Sequence, residues 1–421
     1  MRVAFTTLGC KINQFETDAM REAAAAEGSS IVPFEAEADV YVINTCSVTA
    51  KSDYQCRQMI RAAIRRKEGA RVIVTGCYAE TRPQEIRSIP GVSMVIGNGE
   101  KGSIARYLSA PGQMAHRPER QESKKARTRT FLKIQDGCDS RCSYCIVPLA
   151  RGGSRSVPRE QVFQMFDQAV SKGCPEVVLS GIHIGRYGHD LGSEETLTGL
   201  VRDLLARRAQ ARIRLSSIEP NEVTPDLISM IGNGLCRHLH IPLQSGDDSI
   251  LRSMKRAYSS GFYRTLVESI ARKVPDIALG ADVMVGYPGE GGKEFQNTYD
   301  LIEDLPITHL HVFSYSPRPG TPAAEMKGQV PEQTKRERNE LLRALGLRKN
   351  IVFREGLIGK SLQVVLEEGG GDGKATYSGL TDNYVRVHVS QVKKEEIGRE
   401  INIRMCEVHE KGIFGVLSST N

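Results

Sequence analysis

The chain has 421 residues, is 40% hydrophobic and 25% charged, and carries a formal net charge of +7. That length calls for two or three domains of ordinary globular composition, and no apolar run approaches the ~18 residues of a membrane span, which argues against a helical membrane protein. Ten cysteines, in a chain that runs straight from Met1 into a strand pattern with no leader, point to reduced thiols in the cytoplasm and to metal or cluster chemistry.

Residues 1–112 alternate strand patterns (3–7, 39–44, 71–75, 93–97) with helical ones (14–27, 51–66, 83–89), which predicts a parallel, doubly wound sheet. Cys10, Cys46 and Cys77 each fall just past the carboxyl end of one of these strands. In a parallel sheet those ends share one edge, where ligands bind, so three thiols far apart in sequence converge. Gly9 and Gly76 let the backbone turn tightly there. The expectation is a three-thiolate cluster site. Cys56 sits inside a helical pattern and reads as a partly buried thiol rather than a fourth ligand.

Residues 112–160 hold eleven Lys/Arg against five Asp/Glu, with His116, Arg117, Arg120, Lys124, Lys125, Arg127 and Arg129 in a stretch of little apolar content. It reads as an exposed linker able to touch phosphates. It leads into Cys138, Cys142 and Cys145, a CxxxCxxC run, after which the next cysteine is Cys174. Thiolates are the usual ligands of iron–sulfur clusters, and three of them on a cubane leave one iron open for a reactant. Zinc is the rival, although its common fingers pair CxxC with a second pair downstream, which is missing here.

Residues 113–353 contain six β-like runs, at 131–135, 176–181, 212–217, 238–243, 279–286 and 309–315, with helical patterns between them. Repeated βα units make a barrel, and six of them an open one, with function at the carboxyl ends of the strands. His183, His238 and His240 are left as packing or hydrogen-bonding groups. Residues 354–421 alternate by twos at 361–367, 374–379, 384–389 and 401–405 around the glycine-rich turn 369–373, which predicts a small antiparallel barrel. This last region carries nine Lys/Arg and ten Asp/Glu, so any RNA-binding face is local, with Arg386 and Arg404 as candidates.

The segment from Leu132 through Cys138, Cys142 and Cys145, with an aromatic, Tyr144, before the last cysteine, resembles that of radical S-adenosylmethionine (SAM) enzymes. More narrowly, the whole chain resembles the methylthiotransferases. The resemblance implies an α/β architecture in three parts: a doubly wound domain (1–112) with an auxiliary 4Fe-4S cluster on Cys10, Cys46 and Cys77; a partial (βα)6 TIM-like radical SAM core (113–353) with a second cluster on Cys138, Cys142 and Cys145; and a TRAM-like RNA-binding barrel (354–421). It makes Gly181, Ser217, Glu219 and Gln244 the expected SAM contacts. It implies that one SAM methylates a sulfur and another makes the radical that removes a substrate hydrogen. A flavodoxin-like or ferredoxin-like electron donor is implied, and no membrane.

Three branches of that family differ in substrate. Gly9, Cys10 and Lys11, the run from Asn44 through Cys46 to Thr49, and the run from Gly181 to Gly185 look most like the branch acting on threonylcarbamoyladenosine in tRNA. The ribosomal-protein branch usually has proline where this chain has Lys11. The isopentenyladenosine branch stays open on physical grounds, and a non-catalytic iron–sulfur or zinc RNA-binding protein is the reading from another class.

Overall fold

The computed structural model describes residues 1–108, 128–192, 194–207, 211–367, 377–390 and 392–418. The basic stretch from His116 to Arg127 and the glycine-rich turn at 369–373 lie outside the described residues. The chain divides into two compact units. The first joins Met1–Lys124 to Asp136–Ser154 and Ser316–Glu325; the second holds Lys125–Gln135, Arg155–Tyr315 and Met326–Asn421. The CxxxCxxC run therefore packs with the N-terminal sheet, a grouping that the linear sequence does not suggest.

In the first unit, strands β1 (Arg2–Thr7), β2 (Ser30–Val32), β3 (Val40–Thr45), β4 (Arg71–Gly76) and β5 (Met94–Val95) form one parallel sheet in the order β2-β1-β3-β4-β5. β3 is buried at all six positions, as a strand covered on both faces must be. Apolar clusters lie on both sides, one with Tyr41, Ile43, Val72 and Val74, the other with Val3, Phe5, Val40 and Val42. The predicted helices appear as α1 (Lys11–Ala26) and α2 (Ala50–Arg66), the latter capped by Thr49, whose side chain accepts from Ser52 N. A short helix, α3 (Cys77–Thr81), begins at a cysteine itself.

Further along the chain, β6 (Arg129–Lys133) is followed by the two-residue strands β7 (Gln135–Asp136) and β8 (Arg155–Ser156), then, in the second unit, β9 (Glu176–Ser180), β10 (Arg212–Leu215), β11 (His238–His240), β12 (Ala278–Val285) and β13 (His309–Ser314). The six barrel strands form two parallel three-stranded sheets, β10-β9-β6 and β11-β12-β13. Single bonds bridge the split, Cys236 N to Ile213 O (2.8 Å) and Ile218 N to His240 O (2.9 Å). One large apolar cluster fills the space between strands and outer helices, among them Arg159–Ser171, Leu197–Arg207 and Ser260–Lys273. This is the open α/β barrel expected from six βα units.

The C-terminal strands β14 (Ser361–Glu367), β15 (Tyr377–Thr381), β16 (Arg386–Val389), β17 (Glu400–His409) and β18 (Gly412–Leu417) close a barrel in the order β14-β15-β16-β18-β17. One pair, β16 with β18, is parallel, so the barrel is not wholly antiparallel as the alternation alone suggested. The barrel sits on the amino ends of strands of the larger, six-stranded barrel. Arg212 donates to Leu380 O (2.7 Å), Arg214 to Thr381 O (2.9 Å), and Arg237 pairs with Asp382 (2.7 Å). Tyr384 stacks on His238 with centroids 4.2 Å apart.

Candidate functional site

The N-terminal thiols are positioned by strand ends. Cys10 follows Gly9 and stands at the N-cap of α1; Cys46 follows β3; Cys77 follows β4 and opens α3. Gly9 adopts φ +107°, and a β-carbon there would fall 2.7 Å from Cys46 Cβ and 3.0 Å from its Sγ. Only glycine lets the Cys10 loop come this close to Cys46. Gly76, at φ +100°, has the backbone of Thr45 2.3–2.4 Å from where its β-carbon would be. Both glycines therefore let neighbouring strand-end loops approach closely.

Beneath the thiols lies a buried polar layer. Asn13 Nδ2 donates to Leu8 O (2.8 Å) and Thr45 O (3.0 Å), and Asn44 Nδ2 donates to Asn13 O (2.9 Å). These bonds fix the loops that carry Cys10 and Cys46 to the first turn of α1. Cys56 is fully buried, accepts from Cys46 N (3.4 Å) and donates to Cys46 O (3.4 Å). Burial pushes its thiol up to about 12, so it stays protonated at neutral pH and braces Cys46 rather than offering a thiolate.

Cys138, Cys142 and Cys145 lie in a partly exposed loop of the same unit, ahead of the short helix Val147–Arg151. Gly137, at φ +70°, brings the loop against Gly153, whose carbonyl oxygen would stand 1.9 Å from an added β-carbon. Cys138 N donates to Gly152 O (3.0 Å), and Ala323 N donates to Ser143 O (2.8 Å). Among the described residues no cysteine forms a disulfide.

The residue that joins the two trios was missed in the sequence. Arg151, six positions past Cys145, is 1% exposed at its side chain. It donates to Glu16 Oε1 (2.8 Å), Asp136 Oδ1 (2.9 Å) and Asn13 Oδ1 (2.6 Å). Lys101 Nζ donates to Glu16 Oε2 (2.5 Å). Burial raises the Cys77 thiol, and the charges of Arg151 and Lys101 pull it back down. Burial likewise raises Cys46, with Cys77 and Cys10 adding to the rise, as neighbouring thiolates must. Thiols at three strand ends of one sheet, beside two buried cations and on glycines that leave no room for side chains, fit an anionic iron–sulfur group. No local pattern marks Arg151, because its partners come from three distant segments.

The four expected SAM contacts fall at successive strand ends of the second unit: Gly181 after β9, Ser217 and Glu219 after β10, Gln244 after β11. Ser217 is exposed. A β-carbon at Gly181 would meet Ile184 Cγ2 at 2.8 Å and Gln135 Oε1 at 3.0 Å, so packing alone requires glycine there. Burial raises the Glu219 carboxyl, and Arg256, paired with it, opposes the rise. Gln244 adopts φ +66°, and its backbone bonds Asp282 and Met284 of β12. The three histidines have partners: His183 Nε2 lies 2.8 Å from Glu222, His238 stacks on Tyr384, and His240 Nε2 lies 2.8 Å from Asp282. Arg386 is engaged by Glu367 (2.9 Å), whereas Arg404 is exposed.

Comparison with known proteins gives consistent matches along the chain. Residues 2–97 match the model of uncharacterized protein family UPF0004, and residues 132–302 match the radical SAM superfamily. The threonylcarbamoyladenosine tRNA methylthiotransferase MtaB of Bacillus subtilis (strain 168) is 38% identical, over 96% of this chain and 94% of its own. The protein of the same name from Aquifex aeolicus (strain VF5) is 36% identical, over 96% of this chain and 100% of its own. The tRNA-2-methylthio-N(6)-dimethylallyladenosine synthase of Novosphingobium aromaticivorans is 32% identical, over 98% and 96%. Among solved structures, the radical SAM methyltransferase TsrM from Kitasatospora setae superposes with TM-score 0.59 at 15% identity, covering 88% of this chain and 79% of that one, a likeness of fold alone.

Proposed function

The chain belongs to the radical SAM methylthiotransferase family, and from that premise we propose that it adds a 2-methylthio group to threonylcarbamoyladenosine beside the anticodon of tRNA. The observation that carries the reading is the packing of two three-cysteine sites, Cys10/Cys46/Cys77 and Cys138/Cys142/Cys145, into one unit. Each would hold a 4Fe-4S cluster with one iron open. Bound together with SAM, such groups supply radical cleavage of a C–H bond and a sulfur to replace the hydrogen.

The protein's own part is to hold, orient and shield. Gly9, Gly76 and Asn13 set the three loops of the auxiliary site at close approach. Arg151 and Lys101 lower the cost of gathering thiolates in a buried place. Gly181, Ser217, Glu219 and Gln244, at the strand ends of the barrel, are the groups proposed to line the SAM site. The three-part division at 1–112, 113–353 and 354–421 remains the proposed functional organisation, with a flavodoxin-like or ferredoxin-like donor supplying the electron in the cytoplasm.

The relatives named for threonylcarbamoyladenosine support this substrate, and the relative named for the dimethylallyl nucleoside makes the sister substrate the control. Nucleoside mass spectrometry of tRNA from a deletion strain tests it. Loss of the methylthio-threonylcarbamoyl nucleoside with the isopentenyl product retained is the expected result; the reverse pattern refutes the assignment.

A further inference from the structure

β11, β12 and β13 turn their two faces to different surroundings. Leu239, Leu279, Ala281, Val283 and Val285 belong to the core under the outer helices, and Leu310 and Val312 pack against it. Side chains alternate along a strand, so the residues between them look into the barrel. The register sets Asp282 beside His311, and Met284 beside Phe313 one row nearer the carboxyl ends. His311 is 60% exposed at its side chain and Phe313 45% exposed, so the interior is open along both rows.

The lower row is an ordered polar group. Asp282 Oδ1 lies 2.8 Å from His240 Nε2 and 3.3 Å from His311 Nδ1. A carboxylate only accepts, so both ring nitrogens donate to it. Burial raises the Asp282 carboxyl, but the bonds from His240 and His311 outweigh burial and hold it below the usual carboxylate range. His240 is fixed on its other side by Gly280, where an added β-carbon would fall 2.5 Å from Nδ1. His311 Nε2 is thus the group of this set left facing the open interior, with its ring held by Asp282 as an orienting carboxylate holds an imidazole. The upper row offers a ring and a thioether, which suit the flat face of a base.

We propose that this face of β12 and β13 receives the substrate base, with Phe313 and Met284 flanking the purine and His311, held by Asp282 and His240, selecting a polar threonylcarbamoyl group over an apolar isopentenyl one. The inference rests on the tRNA reading above. A site built to hydrogen-bond a polar substituent rejects an analogue that lacks it, because its own polar groups are then left unpaired.

The test uses the full chain, reconstituted anaerobically, and two synthetic anticodon stem–loops bearing either nucleoside. Wild type is expected to thiolate the threonylcarbamoyl loop in preference. His311→Leu and Asp282→Asn are expected to lower the ratio of kcat/KM for the two loops by roughly tenfold or more, with iron content and SAM cleavage to 5′-deoxyadenosine retained. An unchanged ratio in both variants overturns the proposal. So does loss of SAM cleavage, which would assign the group to the adenine of SAM instead. Wild type that acts on the isopentenyl loop alone, or on neither, refutes the substrate reading itself, before any variant is compared.

Discussion

Glu176→Gln should loosen the C-terminal barrel from the SAM-type barrel, although the described ion pairs of Glu176 are with Arg212 and Arg214 of the latter. Its carboxylate is fully buried and takes hydrogen bonds from Arg212 Nε (2.7 Å) and from Arg214 Nε and Nη2 (both 2.8 Å). Those guanidiniums in turn donate to Leu380 O, Thr381 O and Asp382 O. An amide of the same shape leaves two buried cations with Glu400 as their remaining acidic partner. Removing one member of a buried ion pair costs about 3–5 kcal/mol. The carboxyl itself gives a similar figure, since burial raises it, the two arginines outweigh burial, and it lies at about 2 rather than 4.5, worth about 3 kcal/mol. The folded value is depressed, so this stabilisation is complete above pH ~4.5 and is lost as pH falls toward 2. Hydrogen–deuterium exchange of β14–β18 at neutral pH measures the effect directly. An increase of roughly a hundredfold in the opening equilibrium of these strands is expected. Exchange within about twofold of wild type would show that the docking does not depend on this charge.

Three further outcomes concern the first unit. Cys10→Ala should abolish the methylthio product yet leave SAM cleavage, followed as 5′-deoxyadenosine, largely intact; joint loss of both would refute the division of labour between the trios. Gly9→Ala, which forces a β-carbon to 2.7 Å from Cys46 Cβ at φ +107°, should cost roughly half of the reconstituted iron, and full iron content would show that the close approach is dispensable. Arg151→Met strips a buried cation from beside Glu16, Asp136 and Cys77. In a chain also carrying alanine at Cys138, Cys142 and Cys145, it should lower the midpoint potential of the remaining cluster in an EPR-monitored titration, while an unchanged potential would remove Arg151 from the electrostatics of that site.

The strands of the first unit were legible because their patterns are strong. β1, β3 and β4 are short apolar runs bounded by turns, and a cysteine after each is a signal that parallel topology converts into proximity. What could not be read was long-range pairing of charge. Arg151 is one arginine among many in a basic stretch, and only the fold brings Asn13, Glu16 and Asp136 to it. Arg318 is similar: it donates to Asp53 Oδ2 (2.6 Å) from 265 residues away, joining the segment after β13 to α2. The grouping of the CxxxCxxC loop with the N-terminal sheet follows from these buried pairs, and no periodicity announces it. The lumen group was half legible, since His240 was noticed but its partners lie on β12 and β13, and strand register is fixed by the fold rather than by local composition.

The charge of the C-terminal barrel takes on a different meaning once its partners are known. Net −1 over residues 354–421 offered no basic footprint for RNA. Three of the acidic side chains, however, face arginines of the SAM-type barrel: Glu367 pairs with Arg129 (2.5 Å), Asp382 with Arg237 (2.7 Å) and Glu400 with Arg212 (2.9 Å). They are engaged in docking and do not face a polyanion. Lys393, Arg399 and Arg404 are exposed. A net count over a domain mixes the face that binds its neighbour with the face turned to solvent: three acids here belong to the first, while Glu395, Glu407 and Glu410 are exposed. The relevant quantity for an RNA partner is the charge of the outward face alone, and substituting Arg399 and Arg404 together by glutamine should weaken binding of an anticodon stem–loop and reduce its salt dependence. Equal binding and an equal salt slope would place the RNA contacts elsewhere.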